Sequence, residues 1–191
     1  MRTIINSKYL FWLVLALPGL AMLRGWFSGT ADAIDLLHPT GETAIRLMVL
    51  ALCLGPLAAL VGPRGWLRWL IARRRWIGVA AFAYALAHLV CYAIDLGTLA
   101  DIWAEAGEHA IWTGWAALLA MAIPAATSSD PAMRLLRAGW KRAQQFAYPA
   151  AFFTVLHWGL IELHWIPALL HIAPVAALNL LRWIKLKGSS R

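Results

Sequence analysis

Charged residues are scarce in this sequence. Only 14% of its 191 residues are Asp, Glu, Lys or Arg, whereas 62% are hydrophobic. A soluble domain averages about half apolar and about a quarter charged residues, so the composition excludes a soluble globular domain and a disordered chain. It indicates an integral membrane protein.

Cysteines and the common catalytic motifs are also few or missing. The two cysteines, Cys53 and Cys91, lie inside apolar segments, which leaves neither a disulfide framework nor a Cys-x-x-Cys metal site. The sequence has no GxGxxG, Walker A or HExxH motif, and we assign no catalytic residue. The net charge of +8 does not indicate a nucleic-acid partner, because the basic residues lie between apolar runs rather than on one solvated face.

The sequence does contain apolar runs that are long enough to cross a bilayer. About 20 residues of helix span a hydrocarbon core of about 30 Å. We expect six spans, at about residues 9–27, 43–62, 76–95, 110–127, 146–163 and 167–184. A cleaved signal peptide is the alternative for the first run, but Thr30-Ala31-Asp32-Ala33 is a poor cleavage site. The sequence therefore predicts one all-α domain over residues 1–191, an integral membrane six-helix bundle.

Basic residues set the predicted orientation. Of the 17 Lys and Arg residues, all except Arg24 and Arg46 fall on the side that carries both termini. Because positively charged loops remain in the cytoplasm, we expect both termini to be cytoplasmic. The run at residues 73–75 is expected to face anionic lipid headgroups, with attraction of an anionic flavin or a redox partner as the alternative.

Two histidines lie deep within predicted spans. Measured from Arg75 and Gln145 at the inner ends of their spans, His88 and His157 both lie about 18–20 Å into the membrane. Polar side chains at this depth are costly and indicate function. Two level histidines on neighbouring helices suit a haem iron, which takes one imidazole nitrogen from each side. The alternative is that each histidine only hydrogen bonds to a neighbouring helix.

Small residues form a strip along the helix that carries His88. Gly78, Ala81 and Ala85 share one face with His88, and Tyr92 lies one turn beyond it. Such a strip lets two helices approach closely, or lets a flat macrocycle lie against the backbone. On the second interpretation, Ala81, Ala85 and Tyr92 contact a cofactor whose metal is held by His88 and His157.

The other four histidines have simpler explanations. His38, His109 and His164 are expected at the outer ends of spans or in a turn, where histidine is often solvated. His171 is expected within the sixth span, as a core residue or as a ligand to something else. Glu162 is expected to form an interfacial pair with His164.

Three blocks of sequence cover about residues 38–160. They are His38-Pro39-Thr40-Gly41; Arg74-Arg75-Trp76-Ile77-Gly78 with Ala81 to His88 and Tyr92; and Thr127-Ser128 with Gly139 to Arg142, Tyr148 and Leu156-His157-Trp158. Their order and spacing resemble the HxTG, RRxLG…AFxYAxLHxxxY and TS…GxxWQxLHxxVY…LHxxW patterns of the MsrQ/YedZ haem-binding membrane subunits, within the ferric reductase-like transmembrane group.

The resemblance implies an electron-transfer subunit of an oxidoreductase in the bacterial inner membrane. It implies one haem b, held by His88 and His157, and a periplasmic molybdenum-containing methionine sulfoxide reductase as electron acceptor. A quinone or a cytoplasmic flavin reductase is implied as donor, with flavin mononucleotide or quinone as a further cofactor. The alternatives are a ferric or quinone reductase of the same architecture, and a membrane transporter or scaffold without haem.

Two departures from the family pattern bear on the number of haems. The histidine of the WQxLH block falls at Gln144, and the RPY block before the fourth span is replaced by Glu108-His109-Ala110. Glutamine is not a normal iron ligand, and the matching depth on the third span carries arginine. We therefore expect one haem, with a different inner relay or a different partner as the alternatives.

Overall fold

The computed structural model describes residues 7–62 and 64–188, and these residues form nine helices and no strand. The helices are α1 (Lys8–Phe27), α2 (Ala33–Val61), α3 (Gly65–Leu96), α4 (Leu99–Glu105), α5 (His109–Ala126), α6 (Asp130–Leu136), α7 (Ala138–Gln145), α8 (Ala147–Glu162) and α9 (Trp165–Gly188). The predicted all-α class is confirmed. Arg2 and Arg191, two of the charges that predict the orientation, lie outside the described residues.

Five of these helices are long and apolar enough to cross a membrane, namely α1, α2, α3, α5 and α9. The chain is therefore a multi-pass membrane protein. The run predicted as the fifth span, at 146–163, forms α8, whose 16 residues give about 24 Å of helix. A membrane-spanning helix has about 17–25 residues. The 18 residues of α5 fall within this range and the 16 of α8 do not, so helix length alone supports five spans.

Two helices start well before the predicted spans. α2 starts at Ala33 rather than near residue 43, after a capping box in which the Asp32 N–H donates to Asp35 Oδ2 over 2.9 Å. α3 starts at Gly65 rather than near residue 76. These polar turns fall outside a count of apolar residues, yet their backbone hydrogen bonds continue the helix. The short helices α4 and α6 are capped by Thr98 and Ser129.

The core lies where α2, α3, α5, α8 and α9 meet. α2 packs along α3, α5 packs along α8, and α9 lies against α2 and α8. The buried residues of the central cluster are Ile45, Met48, Leu52, Ala81, Ala120, Met121, Ala150, Ala151 and Val175. The alanines of α3, α5 and α8 let these backbones approach closely, as small residues do between membrane helices.

Two hydrogen bonds of one tyrosine, Tyr84, connect α1 to α3. The Tyr84 hydroxyl of α3 accepts the Gly19 N–H at 2.7 Å and donates to the Leu15 carbonyl at 2.9 Å. These two groups are four residues apart and would otherwise bond to each other in a helix. The hydroxyl is therefore inserted into the hydrogen-bond ladder of α1, next to Pro18, where a bend is expected.

The three arginines at 73–75 have three different surroundings. Arg73 is 8% exposed, and its guanidinium lies 4.0 Å from the centre of the Trp69 ring. Arg75 forms an ion pair with Asp130 at 2.6 Å. Arg74 and Arg75 both line a cavity at the end of the bundle where α2 ends and α3 begins. The expectation that the whole run faces headgroups is therefore wrong for Arg73, which packs among aromatic rings.

Candidate functional site

A cavity of about 590 Å³ lies between α2, α3, α5 and α8. Its volume falls in the range of about 300–1,000 Å³ that is usual for small-molecule sites. Apolar side chains such as Ile45, Met48 and Met121 form most of its wall. The polar or titratable residues that line it are His38, Glu42, His88, Tyr92, Asp95, Glu105, Thr154, His157 and Glu162. We call this the outer cavity, because its lining residues come from the N-terminal half of α2 and the C-terminal half of α3, which are predicted to lie toward the outer side.

The structure brings the two deep histidines together in this cavity. The ring centres of His88 and His157 are 6.1 Å apart, and their planes are inclined at 85°. His88 comes from α3, which packs on α2, and His157 comes from α8, which packs on α5. The two rings thus meet from opposite halves of the bundle.

Backbone carbonyls fix the tautomer of both rings. His88 Nδ1 lies 2.9 Å from the Leu37 carbonyl oxygen, and His157 Nδ1 lies 2.7 Å from the Ala110 carbonyl oxygen. A carbonyl oxygen only accepts hydrogen bonds, so Nδ1 carries the hydrogen and Nε2 keeps its lone pair. A neutral imidazole oriented in this way through its other nitrogen is the usual form of a metal-binding histidine.

The donor set fits a metal that brings most of its own ligands. Two imidazoles that share a metal ion at about 2 Å from one nitrogen of each have ring centres at most about 6 Å apart, and the observed 6.1 Å is compatible with that limit. Within residues 7–62 and 64–188, no group of three or more His, Cys, Asp or Glu side chains could hold a metal ion, so a bare tetrahedral site lacks its ligands. Haem iron, which brings the nitrogens of its own macrocycle, would need only two further ligands from the protein, and two histidines are a donor set of that kind.

The three other residues predicted to contact the cofactor fall in different places. Ala85 lines the outer cavity, beside His88. Tyr92 lines its outer end, where the hydroxyl donates to Glu105 Oε2 over 3.0 Å. Ala81 is 1% exposed in the core and lines the second cavity, at the other end of the bundle, rather than the outer one. The strip of small residues thus serves close helix packing at Ala81 and leaves space at Ala85.

A polar network lies at the outer end of the cavity. His38 Nδ1 is 3.1 Å from Glu162 Oε1, and His171 Nε2 of α9 is 3.6 Å from Glu42 Oε1. The expected pair of Glu162 with His164 is therefore wrong. α2 begins early enough to carry His38 to the end of α8, and His38 takes the place of His164.

A second cavity, of about 460 Å³, lies at the opposite end of the bundle, beside the C-terminal half of α2 and the N-terminal half of α3. Four basic residues line it, from α3, α7 and α9, namely Arg74, Arg75, Lys141 and Arg182, and no acidic residue does so in the described part of the chain. Met48 and Met121 line both cavities and so separate them. We call this the inner cavity.

Gln144 lies at the inner cavity in place of the family histidine. Its amide nitrogen donates to the Pro124 carbonyl at 3.1 Å and to Thr127 Oγ1 at 3.0 Å. The side chain therefore hydrogen bonds to polar groups at the C-terminal end of α5. Its amide nitrogen has no lone pair with which to bind a metal. These residues do not fit an inner haem.

Some residues at the outer cavity are not evident from the sequence. The sequence alone groups Glu42 with the acidic residues of the outer loops, whereas it lies on α2 and lines the cavity. Thr113 and Gly114 of α5 pack beside His157. The sequence does contain one indication of their role, because Thr113-Gly114 repeats the Thr40-Gly41 pair of α2.

Comparison with known proteins agrees with these features. Residues 40–155 match the family described as the ferric reductase like transmembrane component. The chain is 35% identical over 157 residues to a relative from Xanthomonas axonopodis pv. citri, covering 78% of this chain and 70% of the relative. It is 34% identical over 187 residues to a relative from Pectobacterium atrosepticum, covering 93% and 87%.

Both relatives carry the name protein-methionine-sulfoxide reductase heme-binding subunit MsrQ. No solved structure matches the chain. The extent of these matches, together with the three sequence blocks, shows that the chain belongs to the MsrQ/YedZ family of the ferric reductase-like transmembrane group.

Proposed function

We propose that this chain is a haem-binding membrane subunit that carries electrons to a methionine sulfoxide reductase. The main support is the pair of His88 and His157, with ring centres 6.1 Å apart and each Nδ1 bonded to a backbone carbonyl. A haem b at this site supplies reversible one-electron chemistry inside the membrane. The names of the relatives point to the same cofactor.

The residues of the outer cavity have separate tasks in this proposal. His88 and His157 would hold the haem iron through one nitrogen each, and the small side chain of Ala85 would leave room for the macrocycle. The apolar wall excludes water and so helps to set the reduction potential. Tyr92 marks the outer end of the site. Because Gln144 and the nearby cations offer no imidazole at the inner cavity, the proposal contains one haem.

The proposed topology has six spans with both termini in the cytoplasm, in a bacterial inner membrane. The short helix α8 follows α7 through Phe146, which keeps helical dihedral angles (φ −60°, ψ −15°). The two helices together are long enough to complete the crossing. Basic side chains such as Arg74, Lys141 and Arg182 then face the cytoplasm, as the distribution of positive charge requires.

Electrons enter from the inner cavity in this proposal. Four cations line it, of which Arg75 is paired with Asp130, and they favour an anionic donor such as the phosphate of flavin mononucleotide. The apolar residues Ala51 and Leu52 of the same cavity also suit a quinone ring. Met48 and Met121 line both this cavity and the outer one, so electrons would pass between the two cavities beside these side chains.

The acceptor in this proposal is a periplasmic molybdenum-containing methionine sulfoxide reductase. Deleting the chain from its host is expected to abolish repair of oxidised methionine in periplasmic proteins. Re-expression restores repair, whereas the His88→Ala and His157→Ala variants do not. Intact repair with loss of ferric iron reduction would instead indicate a ferric reductase, and a deletion without any redox phenotype would indicate a transporter or scaffold.

A further inference from the structure

The surroundings of His88 and His157 repeat each other on two different helices. Each ring packs on a segment in which the carbonyl that accepts its Nδ1–H is followed by threonine three residues later and by glycine four residues later. The segments are 37–41 of α2 and 110–114 of α5. We propose that each Thr-Gly pair forms a socket that positions one imidazole and adjusts its hydrogen bond. The inference rests on the proposed function, because it concerns how the haem ligands are held.

The glycines make room for the rings. A Cβ atom at Gly114 would lie 2.9 Å from both Cε1 and Nδ1 of His157, and one at Gly41 would lie 3.1 Å from His88 Nδ1. The first distance is too short for any side chain to be added without a shift of the ring. Glycine is therefore required for the imidazole to lie against the backbone and reach the carbonyl.

The threonines share the carbonyls with the histidines. Thr113 is 2% exposed, and its hydroxyl lies 2.7 Å from the Ala110 oxygen, which is also the acceptor for His157. Thr40 is 3% exposed, and its hydroxyl lies 2.6 Å from the Leu36 oxygen. Its contacts with the Leu37 oxygen, which is the acceptor for His88, and with His88 Nδ1 are longer, at 2.9 Å and 3.4 Å. Competition for one carbonyl is therefore stronger in the socket of His157.

This competition has a predictable effect on the haem. A second donor weakens the bond from His157 Nδ1–H to the carbonyl, and the basicity of a metal-bound imidazole follows the strength of that bond. Removing the Thr113 hydroxyl strengthens the bond and makes Nε2 a better donor to ferric iron. The midpoint potential is then lowered.

The hydroxyl effect is tested by redox titration of the haem-loaded protein. The midpoint potential should fall in Thr113→Val, fall less in Thr40→Val, and return toward the wild-type value in Thr113→Ser. Thr154→Val is the matched control, because Thr154 lines the same cavity and bonds to the Ala150 carbonyl, which no histidine uses. A Thr113→Val protein that titrates like Thr154→Val, or at a higher potential, overturns the proposal.

The glycine effect is tested by haem affinity and by the optical spectrum. In Gly114→Ala the affinity is expected to fall by about 10-fold to 100-fold, as it does when an outer-shell partner of a metal ligand is lost, and the low-spin bands should weaken. Gly78→Ala is the control, because a Cβ there meets nothing within 4 Å. Wild-type affinity and spectrum in Gly114→Ala would overturn the proposal.

A measurement without haem separates the sockets from the proposed function. In the haem-free protein labelled with ¹⁵N-histidine, NMR should show the Nδ1–H tautomer for His88 and His157, and Gly114→Ala should lose it at His157. If the wild type never binds haem but shows these tautomers, the haem function fails and the sockets stand. If the wild-type rings carry the hydrogen on Nε2, the sockets are wrong even in a protein that binds haem.

Discussion

His88 and His157 each use Nδ1 to reach a neighbouring helix, which leaves Nε2 for a ligand. Replacing either histidine by alanine should remove one axial ligand of the haem. We expect a loss of affinity beyond the roughly 10-fold to 100-fold that follows loss of an outer-shell partner, measured as haem per chain after purification in detergent. His164→Ala is the control. Unchanged haem content in both variants would contradict the ligand assignment.

Gln144 offers a test of the number of haems at the same scale. Its amide is held by the Pro124 carbonyl and by Thr127, and the cations Arg74 and Arg182 line the same cavity. Restoring the family histidine with Gln144→His supplies one imidazole but no opposite partner. Haem per chain should therefore stay at the wild-type value in a pyridine haemochrome assay, and a doubling would show that the inner cavity can hold haem.

The role of a single residue could be predicted from the sequence where that role depends on how deep the residue lies in the membrane. Counting residues from the inner boundary places His88 and His157 at one level without any knowledge of packing. The same count says nothing about Thr113 or Gly114, because their role depends on α8 lying across α5. It also misassigns Glu162, since its partner His38 is more than a hundred residues away in sequence.

Among the helices, α1 is the least buried of the candidate spans, and Tyr84 is its principal polar attachment. Tyr84→Phe removes a hydroxyl that both accepts from Gly19 and donates to Leu15. Loss of such hydrogen bonds costs about 1–3 kcal/mol. Thermal unfolding in detergent should show a lower midpoint for Tyr84→Phe than for Tyr148→Phe, whose ring is 42% exposed. Equal midpoints would show that the two hydrogen bonds of the Tyr84 hydroxyl do not stabilise the protein.

Helix positions could be predicted from apolar runs, but helix ends could not. Each predicted run lies within a helix or ends within about two residues of a helix end. This agreement arises because a span needs a minimum number of apolar residues to cross the bilayer. The starts of α2 and α3 were missed, since capping at Asp32 and the arginine-rich turns depend on local hydrogen bonds rather than on hydropathy. The short helices α4, α6 and α7 were missed for the same reason.

At the scale of the whole molecule, the charge distribution predicts which ends face the cytoplasm. Ala106, after α4, and Ala138, at the start of α7, lie at opposite ends of the bundle. A cysteine at 106 should react with a membrane-impermeant maleimide in intact cells, and a cysteine at 138 should react only after the cells are permeabilised. The parent chain, with Cys53 and Cys91 in apolar helices, is the control. The reverse pattern would contradict the orientation.

The class of the fold and the existence of a site followed from the sequence, whereas the cavities did not. Low charge and six apolar runs are sufficient for an all-helical membrane protein. The outer and inner cavities depend on which helices pack together, and the separation of the two by Met48 and Met121 arises only from tertiary structure. The resemblance of the sequence blocks supplied the family, which the comparisons confirm.

The most direct test of the haem assignment is an optical spectrum of the detergent-purified protein, first oxidised in air and then reduced with dithionite, with haem counted per chain. The account predicts sharp low-spin b-type bands at about one haem per chain, from His88 and His157 as axial ligands. A colourless protein, purified from cells supplied with excess haem, would contradict it.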